Sequence, residues 1–239
     1  MIYDTLANSP ELLDVFDRIH SEPWPAFLSR DIFVIKYWSS LYNIFPEYQI
    51  LFKVDSAYAA LANCAPIFWS GNIIDLPEGF DRAMEQSIER QNVPNCLCVL
   101  AIVVKKGYTG RGISSRVLKE IKEIARKYGF DKIIVPVRPV CKSQYPHIPM
   151  REYMSWKKDE LPFDPWLRIH IEAGGRILKE ATPSMVVKGT IAQWRHWTGL
   201  DFGNGGEYIV DGALSPVYID LENDIGEYVE SNVWVAYEL

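Results

Sequence analysis

The chain has 239 residues, of which 48% are hydrophobic and 23% charged, and its formal net charge is −6. This composition is typical of a globular protein with a full core, and the acidic balance argues against a general nucleic-acid binder. No stretch approaches the roughly 18 uninterrupted apolar residues of a membrane helix, and the first residues lack the apolar segment of a secretory signal. The four cysteines have no metal-binding spacing, so we expect reduced thiols, a cytoplasmic location and no bound metal.

Residues 1–94 are predicted to supply N-terminal helices and a strand hairpin. Hydrophobic spacing predicts helices at 9–19, 30–44 and 76–90, and antiparallel strands at 48–54 and 57–67. Ser9 and Pro10 suit the first helix start, as cap and first helical residue. The second helix is rich in aromatic residues, which on their own favour core packing. Those aromatic residues are Phe33, Tyr37, Trp38 and Tyr42.

Residues 95–138 are predicted to form the central unit, a strand, a turn, a helix and a second strand. The unbroken apolar run from Cys96 to Val104 is typical of a strand buried on both faces. Apolar residues recur at helical spacing over 113–128, and Ser114 or Ser115 can cap this helix. Residues 131–138 then form a strand, which is expected to be parallel to the first because a helix separates them.

Three glycines lie in the turn between the first strand and the helix, at positions 107, 110 and 112. Glycine lets several backbone N–H groups converge on a ligand, and the helix N-terminus adds partial positive charge. We therefore predict a phosphate or pyrophosphate site, with a plain structural turn as the alternative. The turn lacks the P-loop motif, and a serine replaces the third glycine of the dinucleotide fingerprint. Cationic side chains close by are Lys105, Lys106 and Arg111.

Residues 139–163 form an insertion that contains four prolines and several aromatic residues. Long loops in compact domains are usually functional or disordered, and the aromatic content argues against disorder. We therefore expect a lid or a pocket wall.

Residues 164–239 are predicted to contain a helix at 164–173, a strand from 176, a short helix around 193–197 and strands at 217–221 and 232–237. Trp194 and Trp197 share one face of the short helix. That face suits core packing, a substrate wall or a homodimer contact, and the sequence leaves all three open.

The glycine turn resembles the acyl-CoA binding motif of the GNAT acyltransferase superfamily, R/Q-x-x-G-x-G/A. The motif aligns with the run from Thr109 to Ser114, with Thr109 in place of Arg or Gln and Ser114 in place of the last Gly or Ala. The resemblance covers roughly residues 48–178. It implies an α/β fold of GNAT type, with a mixed, twisted sheet that splits near the phosphate loop and has helices on both faces. We expect a single domain over 1–239.

The resemblance implies that acetyl-CoA or another acyl-CoA is the co-substrate. Backbone groups of Ile102, Val103 and Val104 would hold pantetheine and polarise the thioester carbonyl. The pyrophosphate would bind to the glycine turn and the first turn of its helix. The residues of that second group are Thr109, Gly110, Arg111, Gly112, Ile113, Ser114 and Ser115.

The family often has a tyrosine four residues before a helix-ending glycine, as the general acid for the CoA thiolate. His170 has that position before Gly174. We therefore predict that His170, or Tyr145 from the insertion, protonates the thiolate. Arg138 and Tyr153 are expected to contact the acceptor.

The resemblance implies transfer of an acyl group, expected to be acetyl, to an amine of a small molecule or peptide. Three alternatives remain open at this point. They are a GNAT-like acyl-CoA decarboxylase, an enzyme that takes its acyl group from a carrier protein, and a non-catalytic acyl-CoA sensor. The expected partner is a small-molecule acceptor, with no nucleic acid and no membrane.

Overall fold

A computed structural model describes residues 1–21, 23–89 and 92–239. The helices in these ranges are α1 (Leu13–His20), α2 (Ile32–Ile44), α3 (Phe80–Glu89), α4 (Ile113–Lys127), α5 (Met150–Tyr153), α6 (Pro165–Glu172) and α7 (Ile191–Thr198). The strands are β1 (Ile2–Thr5), β2 (Gln49–Val54), β3 (Ala57–Ile67), β4 (Cys96–Val104), β5 (Lys132–Val137), β6 (Lys157–Lys158), β7 (Leu161–Pro162), β8 (Arg176–Gly189), β9 (Gly206–Tyr208), β10 (Val217–Asp220) and β11 (Ile225–Glu238). The predicted end of the third helix, Arg90, lies outside the described residues.

One mixed sheet organises the fold. Its strand order is β1-β2-β3-β4-β5-β11-β10-β9, and β8 pairs with β11 as well. The pair β4–β5 is parallel and is connected through α4, as a parallel pair requires. The other pairs described in this sheet are antiparallel. The predicted α/β class with a mixed sheet flanked by helices is confirmed.

Successive strand residues point to opposite faces of the sheet, and helices pack on both of these faces. On β2, Leu51 packs in a smaller cluster with Phe16 and Ile19 of α1. Its neighbours Ile50 and Phe52 belong to the main core, which also contains the apolar face of α4. The site described below lies where this two-sided packing opens between β4 and β5.

Side-chain caps fix several helix starts. Asp31 accepts backbone N–H bonds at the start of α2, and Asp164 does the same for α6, whose first residue is Pro165. Thr190 and Gln193 form a capping box at α7. These contacts agree with the helices predicted at 30–44, 164–173 and 193–197.

Helix α3 begins later than the predicted residue 76, because the segment before it is held against β8. A Cβ on Gly79 would lie 2.2 Å from the Cα of Ser184. The N–H of Phe80 donates to Oγ of Ser184 over 3.0 Å. The chain thus turns into the helix only after this contact.

Helix α7 packs on the long β8–β11 pair through Trp194. Its Nε1–H donates to the carbonyl of Gly226 over 2.8 Å, and its side chain is fully buried. A Cβ on Gly226 would lie 2.1 Å from Cδ1 of Trp194. Trp194 is therefore a core residue. None of the described helices is both long and apolar enough to cross a bilayer.

Candidate active site

The glycine turn presents an open concavity at the start of α4. Gly107, Gly110 and Gly112 have φ of +91°, +74° and +67°, and a Cβ on any of them would meet no atom within 4 Å. Gly112 is the residue that caps α4, and no side chain caps this helix. The predicted cap at Ser114 or Ser115 is therefore wrong, because both residues lie inside the first turn.

The first N–H groups of an α-helix have no partner within the helix. In α4 these groups include those of Ile113, Ser114 and Ser115, which follow the glycine turn directly. The Arg111 guanidinium lies 5.3 Å from the ring centre of Tyr108 in the same turn. The turn can therefore offer both backbone donors and a cation to a phosphate.

Strands β4 and β5 diverge toward the side of the sheet at which the glycine turn lies. They pair only from Cys96–Cys98 to Lys132–Ile134. Further along, β4 pairs with β3 on one side, and its other side has no strand partner among the described residues. A bulge opposite Asn63 and Cys64 leaves Leu100 as the extra residue of β4. Backbone polar groups of Ile102 to Val104 are thus available to a ligand between the strands.

A cavity of about 280 Å³ lies at this divergence. Its walls combine β4, the end of β5, β8, β11 and the segment between α1 and α2. The lining is mostly apolar, with a few polar groups that face one space, as expected of a small-molecule site. Residues in the lining include His20, Trp24, Leu28, Val34, Trp38, Phe80, Leu100, Ala101, Pro136, Arg138, Met185, Glu230 and Asn232.

A buried ion pair fixes the polar end of the cavity. Nε of Arg138 donates to both carboxylate oxygens of Glu230 over 3.0 Å, and Glu230 is fully buried. Glu230 also accepts from the Tyr228 hydroxyl over 2.7 Å and from Nδ2 of Asn232 over 2.9 Å. Nη2 of Arg138 donates to the carbonyl of Gly212 over 2.6 Å. These contacts hold the guanidinium in one position at the cavity wall.

Two further carboxyl groups lie next to the cavity wall. Asp31 is fully buried and accepts from the N–H groups of Phe33 over 2.7 Å and Val186 over 3.1 Å. Burial, together with the carboxylate of Asp31, raises the pKa of Asp81 to about 9. At neutral pH the carboxyl of Asp81 is therefore protonated, and burial raises the pKa of Asp31 as well.

Comparison with known proteins identifies the family. Residues 11–140 match the model of the acetyltransferase (GNAT) family. The arginine N-acetyltransferase avaD of Aspergillus versicolor is 31% identical over an alignment of 271 positions, and this alignment covers 98% of this chain and 93% of that protein. This chain belongs to the GNAT acetyltransferase family. As a GNAT member it is an N-acyltransferase, and the family takes its acyl group from acyl-CoA.

Solved GNAT structures share the fold. The loading GNATL domain of CurA from Lyngbya majuscula superposes with a TM-score of 0.65 at 15% identity, over 100% of this chain and 98% of that one. The GphF GNAT-like decarboxylase in complex with isobutyryl-CoA gives 0.62 at 14% identity, over 100% and 99%. At these identities the likeness concerns the fold alone.

In this GNAT fold, His170 lies in the core and does not line the cavity. Its side chain is fully buried, and its Nδ1 lies 2.6 Å from the Tyr237 hydroxyl. Burial lowers the pKa of His170 to about 3, so the ring is neutral at neutral pH. Its Nε2 is buried without a partner among the described residues. These surroundings indicate packing and do not support the predicted delivery of a proton to the thiolate.

The insertion of this GNAT chain is an aromatic-packed segment. The Tyr153 hydroxyl donates to Asp164 over 2.9 Å, and this side chain is 1% exposed. The ring of Tyr145 lies 5.0 Å from that of Trp156 and 5.9 Å from that of Phe163. The described lining of the cavity includes no residue from 139–163. The geometry therefore does not support the predicted roles of Tyr145 as acid and Tyr153 as acceptor contact, whereas Arg138 does line the cavity.

Sequence reasoning missed several polar or aromatic residues of the GNAT cavity, among them His20, Trp24 and Glu230. Trp38 was expected to pack in the core, and it lies in the lining. Glu230 had a detectable signal, because a carboxylate inside a strand of apolar residues needs a buried partner. His20 had none, since a single histidine at a helix end says nothing about what faces it.

Proposed function

We propose that this chain uses acetyl-CoA to acetylate the amine of a small amino acid of the arginine type. In the proposed overall reaction, an amine and acetyl-CoA give an amide and CoA. The observation that carries the proposal is the cavity where β4 and β5 diverge, because it joins a free strand edge to a fixed guanidinium. The curated relative avaD, named for arginine N-acetylation, supports the acceptor class.

For the donor, we propose that the glycine turn binds the CoA pyrophosphate. Its residues Thr109 to Ser115 offer backbone N–H groups and the Arg111 guanidinium, and anions are stabilised at a helix N-terminus. The free edge of β4 at Ile102 to Val104 would hold the pantetheine arm by backbone hydrogen bonds. The same edge would polarise the thioester carbonyl as its oxygen gains charge.

For the acceptor, we propose that Arg138 binds its carboxylate. A guanidinium pairs well with a carboxylate, and Glu230 already holds Arg138 in place. The carboxyl pair of Asp31 and Asp81 lies beside the opposite wall, at Val34 and Phe80, and a carboxylate in this pair would attract a cationic side chain. A cavity of about 280 Å³ suits a single amino acid better than a protein substrate.

The chain acts in this proposal as one domain over 1–239, in the cytoplasm. Buried free thiols at Cys64, Cys96 and Cys98 are suited to a reducing compartment. The homodimer contact stays a prediction that the size of the protein in solution would test.

The test is acetyl-CoA turnover by the purified chain, followed by free-thiol release and by the mass of the product. L-arginine is expected to be acetylated, agmatine more weakly because it lacks the carboxylate, and L-citrulline more weakly because it lacks the charge. CO₂ release from malonyl-CoA without an acceptor would favour the decarboxylase. Acetyl-CoA binding without turnover on any acceptor would favour the sensor.

Arg138→Lys sharpens this test. Lysine keeps the charge but loses the planar fork, so KM for L-arginine is expected to rise about tenfold or more. Agmatine has no carboxylate and serves as the matched control substrate, with an unchanged KM. An equal rise for both substrates would contradict the assigned role.

A further inference from the structure

We propose that Lys142 of the insertion and Tyr228 of β11 are positioning residues for the acceptor, because together they hold the 210–214 segment that fixes Arg138. This inference rests on the proposed function, in which Arg138 binds the acceptor carboxylate, and it adds the residues that keep the guanidinium in place. It gives the insertion a role in a cavity whose described lining contains none of its residues.

The 210–214 segment lies between β9 and β10 and contains no helix or strand. It reaches the cavity from behind in two places, both at Gly212. The carbonyl of Gly212 accepts from Nη2 of Arg138 over 2.6 Å. Gly212 also packs on Pro25 of the cavity lining, since a Cβ on this glycine would lie 2.6 Å from Cγ of Pro25. The position of the segment therefore affects both the guanidinium and the wall next to it.

Lys142 holds the segment from the side of the insertion. Its Nζ donates to the carbonyl of Leu214 over 2.5 Å and to the carbonyl of Tyr145 over 2.9 Å. The lysine is only 2% exposed. Lysine is rarely this buried, because its amine must keep its hydrogen bonds when it leaves water. The two carbonyls supply these bonds, so the burial of Lys142 requires the segment to lie where it does.

Tyr228 holds the same segment from the side of the sheet. Its hydroxyl accepts from the N–H of Leu214 over 2.9 Å and donates to Glu230 over 2.7 Å. Its side chain is fully buried, and its ring centre lies 5.1 Å from that of Phe27. Leu214 is thus held through its N–H by Tyr228 and through its carbonyl by Lys142.

These hydrogen bonds form a closed loop that includes the guanidinium. In order, its members are Leu214, Tyr228, Glu230, Arg138 and Gly212, and the backbone of the 210–214 segment completes it. Lys142 connects this loop to the insertion. In a buried network, removing one partner leaves another polar group unsatisfied. Without Lys142 the carbonyl of Leu214 loses its donor, so the segment shifts and Arg138 is no longer held in one position.

The experiment compares Lys142→Met with wild type, using acetyl-CoA and either L-arginine or agmatine. Methionine keeps a long apolar side chain but donates no hydrogen bond. KM for L-arginine is expected to rise about fivefold or more, whereas KM for agmatine, which lacks the carboxylate, stays within about twofold. Lys122→Met is the matched control, because Nζ of Lys122 also donates to a carbonyl, that of Ala173, and neither residue is in the described lining. This control is expected to change neither KM.

A purely structural role for Lys142 would lower the folded fraction, and hence kcat, equally for both substrates and would leave each KM unchanged. A double variant provides a second distinction. In an Arg138→Lys background, Lys142→Met is expected to raise KM for L-arginine by less than about twofold, because the guanidinium that it positions is already absent. An unchanged KM for L-arginine, an equal rise for agmatine, or an undiminished rise in the Arg138→Lys background overturns the proposal.

Tyr228→Phe keeps the test decisive if Lys142→Met does not fold. This variant removes only the hydroxyl that binds the N–H of Leu214 and the carboxylate of Glu230. The same rise in KM, confined to L-arginine, is expected. A folded Tyr228→Phe protein with wild-type KM values for both substrates overturns the proposal.

Nitrogen-15 NMR without substrates separates this proposal from the proposed function. The Nε–H signal of Arg138 is assigned by its loss in Arg138→Lys. It is expected to shift in Lys142→Met, because the guanidinium moves relative to Glu230, and to stay unchanged in Lys122→Met. An unshifted signal overturns the positioning role. If wild type does not acetylate L-arginine, the proposed acceptor fails, and this signal still decides whether Lys142 positions Arg138.

Discussion

Replacing His170 by glutamine is expected to remove part of the acid sensitivity of the fold and to leave turnover near wild type. The folded pKa of His170 is about 3, whereas an unfolded histidine has a pKa of about 6.5. Between these values the unfolded chain binds a proton that the folded chain does not. The free energy of unfolding therefore falls as pH drops below about 6.5 and continues to fall down to the folded pKa.

The magnitude follows from the pKa difference, because the His170 side chain is fully buried. A pH of 4.5 is about 2 units below the unfolded pKa, and each unit corresponds to about 1.4 kcal/mol. The buried, neutral His170 therefore lowers the free energy of unfolding by about 2.7 kcal/mol at pH 4.5. Glutamine does not titrate and has no such cost.

The assay is urea unfolding of wild type and His170→Gln at pH 7.5 and 4.5. Wild type is expected to lose about 2.7 kcal/mol more than the variant between these pH values. Exposed His196 provides the control, since His196→Gln is expected to keep the wild-type loss. Equal losses in wild type and His170→Gln would refute the burial argument. A hundredfold fall in turnover per folded molecule would restore His170 as a proton donor.

Two further changes test the donor site and the core. Gly112→Trp is expected to abolish acetyl-CoA binding in calorimetry by filling the open turn, while Gly129→Trp, also at positive φ in open space, keeps it; equal affinities would contradict a pyrophosphate site. Gly226→Ala is expected to destabilise the fold by about 1–3 kcal/mol, because its Cβ overlaps the buried Trp194 ring. Thermal melting measures this effect, with Gly203→Ala as the unhindered control. An unchanged Tm for Gly226→Ala would show that α7 can move to make room for the added Cβ without loss of stability.

The central unit was predictable because its signals are local. The β-branched run of β4, the glycines of the turn and the apolar stripe of α4 are each read within about ten residues. The cap of α4 was not predictable in the same way, since the capping residue is Gly112, with positive φ, where a serine was expected.

The cavity depends on contacts between distant segments, and single-sequence patterns do not report these. Arg138 was predicted to contact the acceptor, but the partner that fixes it, Glu230, lies 92 residues further along. His170 matched a motif position, yet Tyr237 and the surrounding core decide its state.

The short pairing between β4 and β5 has a consequence for how the two substrates affect each other's binding. Only the first residues of the two strands pair with each other. The part of β4 that contains Leu100 and Ala101 is therefore paired with a strand on one side, β3, among the described residues. A donor that bonds along this edge would also stiffen the wall against which the acceptor rests. Acceptor affinity should then increase when acyl-CoA is bound. Thermodynamic linkage requires that the acceptor tighten the binding of acyl-CoA by the same factor.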